Sequence, residues 1–191
     1  NNDVEIITEN WLEEMLQLCQ QKDVGMVGAK LYYPDDTIQH AGVVVGLGGV
    51  AAHVLCKLPR DAEGYMGRLR CVQEISAVTA ACMMVKTSVF KAVGGFDEEL
   101  KVAFNDIDLC MKVRKYGVKI VFTPYAELYH YESKSRGMED TPEKQLRFSR
   151  EVNCFRRKWE RELLKGDPYY NPNLTLNNTD CSLRKQEKNG D

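Results

Sequence analysis

Residues 105–130 read NDIDLCMKVRKYGVKIVFTPYAELYH, and this stretch decides the fold class. Asn105 is a favoured capping residue, acidic residues follow in the first turn, and Gly117 is typical of a helix end, so residues 105–117 are predicted to form a helix. The run of β-branched and aromatic residues from 118 to 122 predicts a strand directly after it. A helix that leads at once into a buried strand is typical of an α/β domain.

The segments downstream continue this pattern. Pro124 is predicted to end the strand, and residues 126–130 are predicted to form another extended piece. A longer helix is predicted to open at Pro142, because proline fits the first helical position, and to run without breakers to about residue 165. Beyond that point the sequence has no periodicity, which predicts an irregular tail over residues 166–191.

The segments upstream alternate between helix and strand patterns. They predict helices over residues 8–21 and 87–93, and strands over residues 24–33, 38–45 and 72–85. Thr8 is the predicted cap of the first of these helices. Residues 46–70 lack a regular pattern and form a longer segment than a loop that only connects two elements needs, so we expect this loop to carry function. The sequence as a whole predicts an α/β domain in which helices flank a mixed sheet.

Composition narrows the class of protein. The 191 residues are 43% hydrophobic and 28% charged, a balance that fits one globular domain and excludes a disordered chain or a coiled-coil rod. The 26 basic and 28 acidic residues give a formal net charge of -2, which argues against nucleic acid as a partner. The longest apolar runs, such as residues 42–47, fall far short of the roughly 20 residues that a membrane-spanning helix needs.

The cysteines and the start of the chain bear on its compartment. The seven cysteines are scattered, without Cys-x-x-Cys spacing, which argues against a zinc cluster. Most lie among apolar neighbours, as Cys82 does, which predicts reduced, buried thiols and a cytoplasmic location. Asn1 is neither an initiator methionine nor part of a charged-then-apolar leader, so we expect no signal peptide and an internal start within a longer protein.

Three acidic residues are candidates for chemistry. Asp3 follows two asparagines and precedes a short strand, where open α/β sheets bind ligands, although a turn aspartate is the alternative. Asp106 and Asp108 lie in the first turn of a helix, where carboxylates interact favourably with the helix dipole. Asp106 also meets the requirement for a general base, a carboxylate on a rigid element, whereas Asp108 is the candidate for a buried structural role.

His130 and the loop after it form a second cluster. An imidazole followed within a few residues by Lys134 and Arg136 suits a metal-bound diphosphate, although solvated loop cations are the alternative. We expect His40 and His53 to be structural, since nothing around them in the sequence resembles a ligand set. The interleaved charges of the last helix predict a solvated face, with contact to a membrane surface as the alternative.

Taken together, these motifs resemble those of family 2 glycosyltransferases. The resemblance covers about residues 1–165 and extends to bacterial enzymes that build O-antigen and related surface polysaccharides, including rhamnosyltransferase-like members. It rests on Asn1-Asn2-Asp3, Ala81-Cys82-Met83-Met84-Val85, Gly94-Gly95-Phe96-Asp97-Glu98, Asn105-Asp106-Ile107-Asp108-Leu109-Cys110 and residues 130–137. It implies a partial GT-A fold, a Rossmann-like α/β sandwich.

The resemblance also implies roles for particular residues. Asn1-Asn2-Asp3 stands where the family carries an Asp-x-Asp-type motif, so Asp3 and His130 are the implied ligands of a divalent metal, Mn or Mg. Asp106 is the implied catalytic base of an inverting transfer. The expected contacts to the donor diphosphate are Asn1, Lys134 and Arg136, and the expected contacts to the acceptor are Gly95, Phe96, Asp97 and Asn105.

The implied activity is transfer of a sugar from a nucleotide-sugar donor to a saccharide or lipid-linked saccharide acceptor, in the cytoplasm at the inner face of the membrane. In the family the nucleotide is held mostly by sequence before the Asp-x-Asp-type motif. Residues 1–165 therefore resemble the C-terminal, metal- and acceptor-side part of the domain, and we expect them to be inactive alone. Exposed sheet surface predicts self-association. A non-catalytic glycan- or protein-binding module on the same fold is the alternative.

Overall fold

The computed structural model describes residues 2–131 and 141–185 of the chain. The helices within these ranges are α1 (Trp11–Cys19), α2 (Thr87–Ala92), α3 (Asn105–Tyr116), α4 (Pro142–Lys158) and α5 (Glu160–Lys165). The strands are β1 (Val4–Ile6), β2 (Val24–Tyr32), β3 (Ile38–His40), β4 (Val43–Val45), β5 (Ala51–His53), β6 (Gln73–Glu74), β7 (Met83–Val85) and β8 (Lys119–His130). None of these described helices combines the length and the apolar composition that crossing a membrane requires.

The main sheet is mixed. Its centre is the parallel pair of β2 and β8, in which Val27 lies opposite Val121 and Tyr32 lies opposite Tyr129. The other strands are antiparallel: β6 and β1 follow one another along the outer edge of β8, and β7 and β3 follow one another along the outer edge of β2. This arrangement confirms the predicted α/β class with a mixed sheet. It also brings the chain's first strand beside its last.

Helices cover both faces of this sheet. On one face, α1 packs Met15 and Cys19 against a cluster that includes Val27 and Leu128. On the other face, α3 and α4 contribute Leu109 and Phe155 to the larger core. Because successive residues of a strand point to opposite faces, β2 supplies side chains to both clusters. The two helix layers hold the central strands rigidly from both sides.

The segment after α5 is irregular, as predicted. Among residues 166–185 the only ladder contact is an isolated bridge between Leu174 and Leu183. The segment is nonetheless part of the core, since Tyr170 and Cys181 are buried in it. A carboxylate oxygen of Asp167 accepts a hydrogen bond from the backbone N–H of Val45 at 2.8 Å. The described part of the tail therefore wraps against the domain.

Helix boundaries differ from prediction at three places. α1 begins at Trp11, because the Thr8 hydroxyl accepts a hydrogen bond from the Glu127 backbone N–H at 3.1 Å and ties this residue to β8. The cap residue of α3 is Phe104 in a left-handed conformation, so Asn105 is the first helical residue. The helix predicted over residues 142–165 is interrupted at Trp159, whose indole turns into the core.

Strand boundaries also differ. The strand predicted over residues 38–45 divides into β3 and β4 at Gly42, whose φ of 105° breaks the extended backbone. The strand predicted over residues 72–85 is two short strands, β6 and β7, on different edges of the sheet. The prediction that Pro124 ends a strand is wrong, because β8 continues through it. Pro124 lies between the residues of β8 that pair with β6 and those that pair with β1, where an N–H is not needed.

The loop predicted over residues 46–70 has more structure than expected. It contains β5, which pairs with β4 as a hairpin. Leu55 and Leu69 from the same loop are fully buried in the larger core. This segment therefore covers the carboxyl-terminal half of the sheet and positions groups around the site described below.

Candidate active site

Asp3 and His130 are brought together by the pairing of β1 with β8. Val4 lies opposite His130, and the backbone N–H of Tyr131 donates to the carbonyl oxygen of Asp3 at 2.8 Å. The carboxylate oxygen Oδ1 of Asp3 lies 3.5 Å from Nε2 of His130, with the two side chains 17% and 14% exposed. Within the described residues, this buried Oδ1 accepts no hydrogen bond. The structure therefore brings the two predicted metal ligands together, and their role as ligands stays a prediction.

Gln39 contacts the other side of the His130 ring. Its Oε1 lies 2.7 Å from His130 Nδ1, and its Nε2 donates to the His130 carbonyl oxygen at 3.2 Å. The Gln39 backbone carbonyl in turn accepts a hydrogen bond from the Cys56 thiol at 2.9 Å. The side chain of Gln39 is almost completely buried. Sequence reasoning did not identify Gln39.

His40 and His53 lie beside this group. His40 is fully buried, and its Nδ1 lies 3.0 Å from Nδ1 of His53. Burial holds the pKa of His40 well below its usual range, and the nearby imidazoles of His53 and His130 lower it further. All three histidines of the chain therefore converge on one end of the sheet. The pairing of β4 with β5 produces this convergence, because it places His53 opposite Val43 and so close to His40.

Asp106 lies in the first turn of α3 and is partly exposed. Its Oδ2 accepts a hydrogen bond from the backbone N–H of Ala80 at 3.1 Å, and its Oδ1 accepts one from Ile107 at 2.8 Å. Ala80 belongs to the turn that leads into β7, and β7 and β3 follow one another along the same edge of β2. Asp106 is therefore held beside the half of the sheet that carries His40. Its fixed carboxylate keeps lone pairs available for a further donor.

Asp108 has a structural environment. The carboxylate is fully buried and accepts hydrogen bonds at 2.8 Å from the Trp159 indole and from the Lys158 ammonium. Lys112, one turn along α3, approaches its other oxygen at 3.3 Å. Burial works against the charge of Lys158, but its bonds to Asp108 and Asp97 outweigh burial and raise its pKa. Asp108 thus joins α3 to the end of α4, in agreement with the buried structural role expected for it.

The predicted acceptor residues divide into two groups. Asn105 contacts Asp106 directly, since its Oδ1 accepts from the Asp106 backbone N–H at 2.7 Å. Asp97 is ion-paired with Lys158, whose hydrogen bond lowers the pKa of the Asp97 carboxyl. The Gly95 carbonyl accepts a hydrogen bond from Lys112, and the Phe96 ring is about half exposed against Phe90.

The predicted donor contacts cannot be placed in this site. Asn1, Lys134 and Arg136 lie outside the described residues.

A divalent cation fits the Asp3 and His130 pair. A carboxylate oxygen and an imidazole nitrogen are both ligand atoms of Mn²⁺, and the unbonded, buried Oδ1 of Asp3 is the kind of atom that a cation would satisfy. Among residues 2–131 and 141–185 there is no cluster of three or more His, Cys, Asp and Glu side chains placed to hold a metal. Two protein ligands are typical of sites that complete a cation's coordination with substrate phosphates and water.

A cleft of about 770 Å³ lies on the sheet face that carries Lys30 and Glu127. Lys30 is buried except for 3% of its surface, which lowers its pKa, and its ammonium donates to the Leu69 carbonyl at 3.2 Å. The Arg60 guanidinium donates to Glu127 at 3.3 Å and stacks over the Tyr32 ring. The half-exposed Tyr125 also lines the cleft, so its wall combines both signs of charge with aromatic surface. Such a mixture is suited to a neutral, hydroxyl-rich ligand.

Comparison with known proteins identifies the family of the chain. Residues 3–150 match the model of the glycosyltransferase-like family 2, and the chain belongs to that family. Its mixed sheet, flanked by helices, is accordingly a GT-A-like nucleotide-sugar transferase fold.

Three relatives illustrate the membership. The chain is 58% identical over 184 residues to the uncharacterized protein y4gI of Sinorhizobium fredii, covering 96% of this chain and 20% of that protein. It is 39% identical over 192 residues to the O-antigen biosynthesis protein RfbC of Myxococcus xanthus, covering 100% of this chain and 15% of that protein. A 62-residue segment, 32% of this chain and 20% of the relative, is 36% identical to an N-acetylglucosaminyl-diphospho-decaprenol L-rhamnosyltransferase of Mycobacterium tuberculosis. The chain thus spans a fifth or less of each.

Proposed function

We propose that this chain is the metal- and acceptor-side part of an inverting glycosyltransferase that builds a surface polysaccharide. The observation that carries the proposal is the buried Asp3 oxygen, without a hydrogen bond among the described residues, facing Nε2 of His130. Asp106, a fixed and partly exposed carboxylate, lies at the carboxyl-terminal half of the same sheet. Relatives named for O-antigen biosynthesis and for rhamnosyl transfer support the polysaccharide role.

Asp106 is the proposed general base. The two backbone N–H groups that bond its oxygens fix the orientation of the carboxylate, and the remaining lone pairs accept the proton of an acceptor hydroxyl. The deprotonated oxygen then forms the glycosidic bond to the anomeric carbon while the bond from that carbon to the nucleoside diphosphate breaks, and this single displacement inverts the centre. Asn105 orients the first turn of α3 by accepting the N–H of Asp106.

Asp3 and His130 are the residues that would hold a divalent cation, Mn²⁺ or Mg²⁺. When bound, such a cation supplies charge neutralisation for the departing nucleoside diphosphate. Arg136, with Lys134, is proposed to contact the same diphosphate, because guanidinium and ammonium groups make charge-assisted bonds to phosphate. We propose a cytoplasmic location at the inner face of the membrane, which fits the absence of disulfide bonds among the described residues.

A glycan-binding module without catalysis is the second candidate function, and the cleft lined by Lys30, Arg60 and Glu127 favours it. Binding clefts combine apolar or aromatic surface with a few polar groups that orient the ligand, and this wall offers charged side chains beside the Tyr125 ring. This function would require neither a cation nor Asp106.

Hydrolysis of nucleotide-sugars separates the two candidates. The longest reading frame that contains this chain is tested with a panel of nucleotide-sugars and Mn²⁺, as wild type, Asp106→Asn and His130→Ala, with the exposed Asp23→Asn as matched control. Cation-dependent release of one nucleoside diphosphate, weakened in the two site variants and not in the control, is the expected result. The second candidate would be established by two results together. No donor releases a nucleoside diphosphate, with or without saccharide acceptors, and the protein binds glycans in the presence of EDTA.

We propose that the 191-residue chain alone turns over little and self-associates. The edge strand β1 exposes about half of Ile6, and an unpaired edge is a template for further strands. Sedimentation velocity over a range of concentrations tests this, and a monomer at every concentration would contradict it.

A further inference from the structure

Gln39 holds His130 at two points. Its amide nitrogen donates to the His130 backbone carbonyl at 3.2 Å, while its amide oxygen lies 2.7 Å from the ring nitrogen Nδ1. The reverse orientation of the amide would place its oxygen against a carbonyl oxygen, two acceptors in contact. The hydrogen-bond pattern therefore fixes which way the amide points.

This orientation determines the tautomer of His130. Because the Gln39 oxygen can only accept, Nδ1 of His130 must carry the proton, and a neutral imidazole then has its lone pair on Nε2. Nε2 is the atom that faces Oδ1 of Asp3 at 3.5 Å. Two lone-pair donors thus point at one another with no proton between them, which explains why Oδ1 accepts no hydrogen bond among the described residues.

A β-bulge places Gln39 where it can do this. Along β2 and β3, Leu31 lies opposite His40 and Tyr32 lies opposite Ile38, so Gln39 is the extra residue without a partner on β2. A bulge redirects the side chain of the extra residue, and here that side chain reaches His130 on β8. The Cys56 thiol bonds the Gln39 carbonyl and anchors the bulge from the neighbouring loop.

We propose that Gln39 is the positioning residue of the cation site, and that it acts by holding His130 in the tautomer whose Nε2 binds the cation. The inference rests on the proposed function for the existence of a cation site at Asp3 and His130. Removing a residue that hydrogen-bonds to a metal-binding histidine typically weakens metal affinity by about 10–100-fold.

The first test needs no cation. The chain has three histidines, so ¹⁵N-histidine labelling of the 191-residue protein gives a spectrum of three imidazoles, which His130→Gln assigns. The expected spectrum shows His130 protonated at Nδ1 in wild type and a loss of this preference in Gln39→Leu, which removes the acceptor. Wild-type His130 protonated at Nε2 would overturn the inference, whether or not any variant folds.

The second test measures Mn²⁺ binding by electron paramagnetic resonance. Gln39→Leu is expected to weaken the affinity by about 10–100-fold, while the control Gln17→Leu stays close to wild type. If wild type binds Mn²⁺ and Asp3→Asn abolishes binding, but Gln39→Leu binds as wild type does, the inference fails and the proposed function stands. If wild type binds no Mn²⁺, the cation site itself is refuted and the inference with it.

Discussion

Replacing Asp108 tests the distinction between the two aspartates of α3. Asp108→Ala removes a fully buried carboxylate and leaves the Trp159 indole N–H without its acceptor. Loss of one partner from a buried ion pair costs about 3–5 kcal/mol, and an unsatisfied buried donor costs about 1–3 kcal/mol. Lys158 and Lys112 are 32% and 19% exposed and can turn toward water, which reduces the first of these costs. We expect a net loss of about 3 kcal/mol.

Urea unfolding followed by tryptophan fluorescence measures this loss, since Trp159 reports on the same contact. In a domain of this size about 3 kcal/mol lowers the Tm by about 6–12 °C. Asp108→Asn keeps an acceptor for the indole and is expected to lose only about 1–2 kcal/mol. A change below about 1 kcal/mol in Asp108→Ala would refute the structural assignment and return Asp108 to the list of catalytic candidates.

Three further predictions follow from the same geometry. Asp106→Asn keeps an oxygen acceptor at a partly exposed position, so we expect a free energy of unfolding within about 1 kcal/mol of wild type. Turnover of the longer protein should nonetheless fall by about 10²–10⁴-fold. A loss of activity that is accompanied by unfolding would contradict this. The pKa of His40 is lower in the folded state than in the unfolded state, so the unfolded chain binds more protons and stability falls as the pH drops below about 6.5. The urea midpoint should therefore fall less between about pH 7 and about pH 5 in His40→Asn than in wild type. An equal fall in the two proteins would contradict this. A Cβ at Gly28 would lie 2.3 Å from Val78 Cγ1, so Gly28→Ala should cost about 1–3 kcal/mol in the same assay, whereas the exposed Ser88→Ala should not.

Local patterns in the sequence predicted most helices and strands. α3 was predictable because its acidic first turn and Gly117 are local signals that the tertiary structure leaves in place. The predictions were wrong where distant contacts override local ones. Pro124 reads as a strand end, but β8 has a gap in its edge pairing at that point, so the proline removes no ladder bond. Trp159 has a helical neighbourhood, but its indole is drawn to Asp108.

The candidate site could be predicted only in part. Asp3, Asp106 and His130 were named as candidates because their motifs resemble a known family, and periodicity alone would not have joined Asp3 to a histidine in a strand so distant in sequence. Gln39 could not be found in this way, because its role depends on a bulge in the register of two strands. Register follows from packing across the whole sheet, which no local stretch of sequence encodes.

The pairing of β1 with β8 has a consequence for synthesis of the chain. Translation releases the amino terminus first, so β1 and the apolar side of α1 leave the ribosome long before β8 exists to receive them. Pairings between such distant segments form slowly, and a nascent chain waits with unsatisfied strand edges and exposed methionine and leucine side chains. Asp3 meets His130 only when this closure is made. The proposed cation site therefore cannot form in a nascent chain that ends before β8.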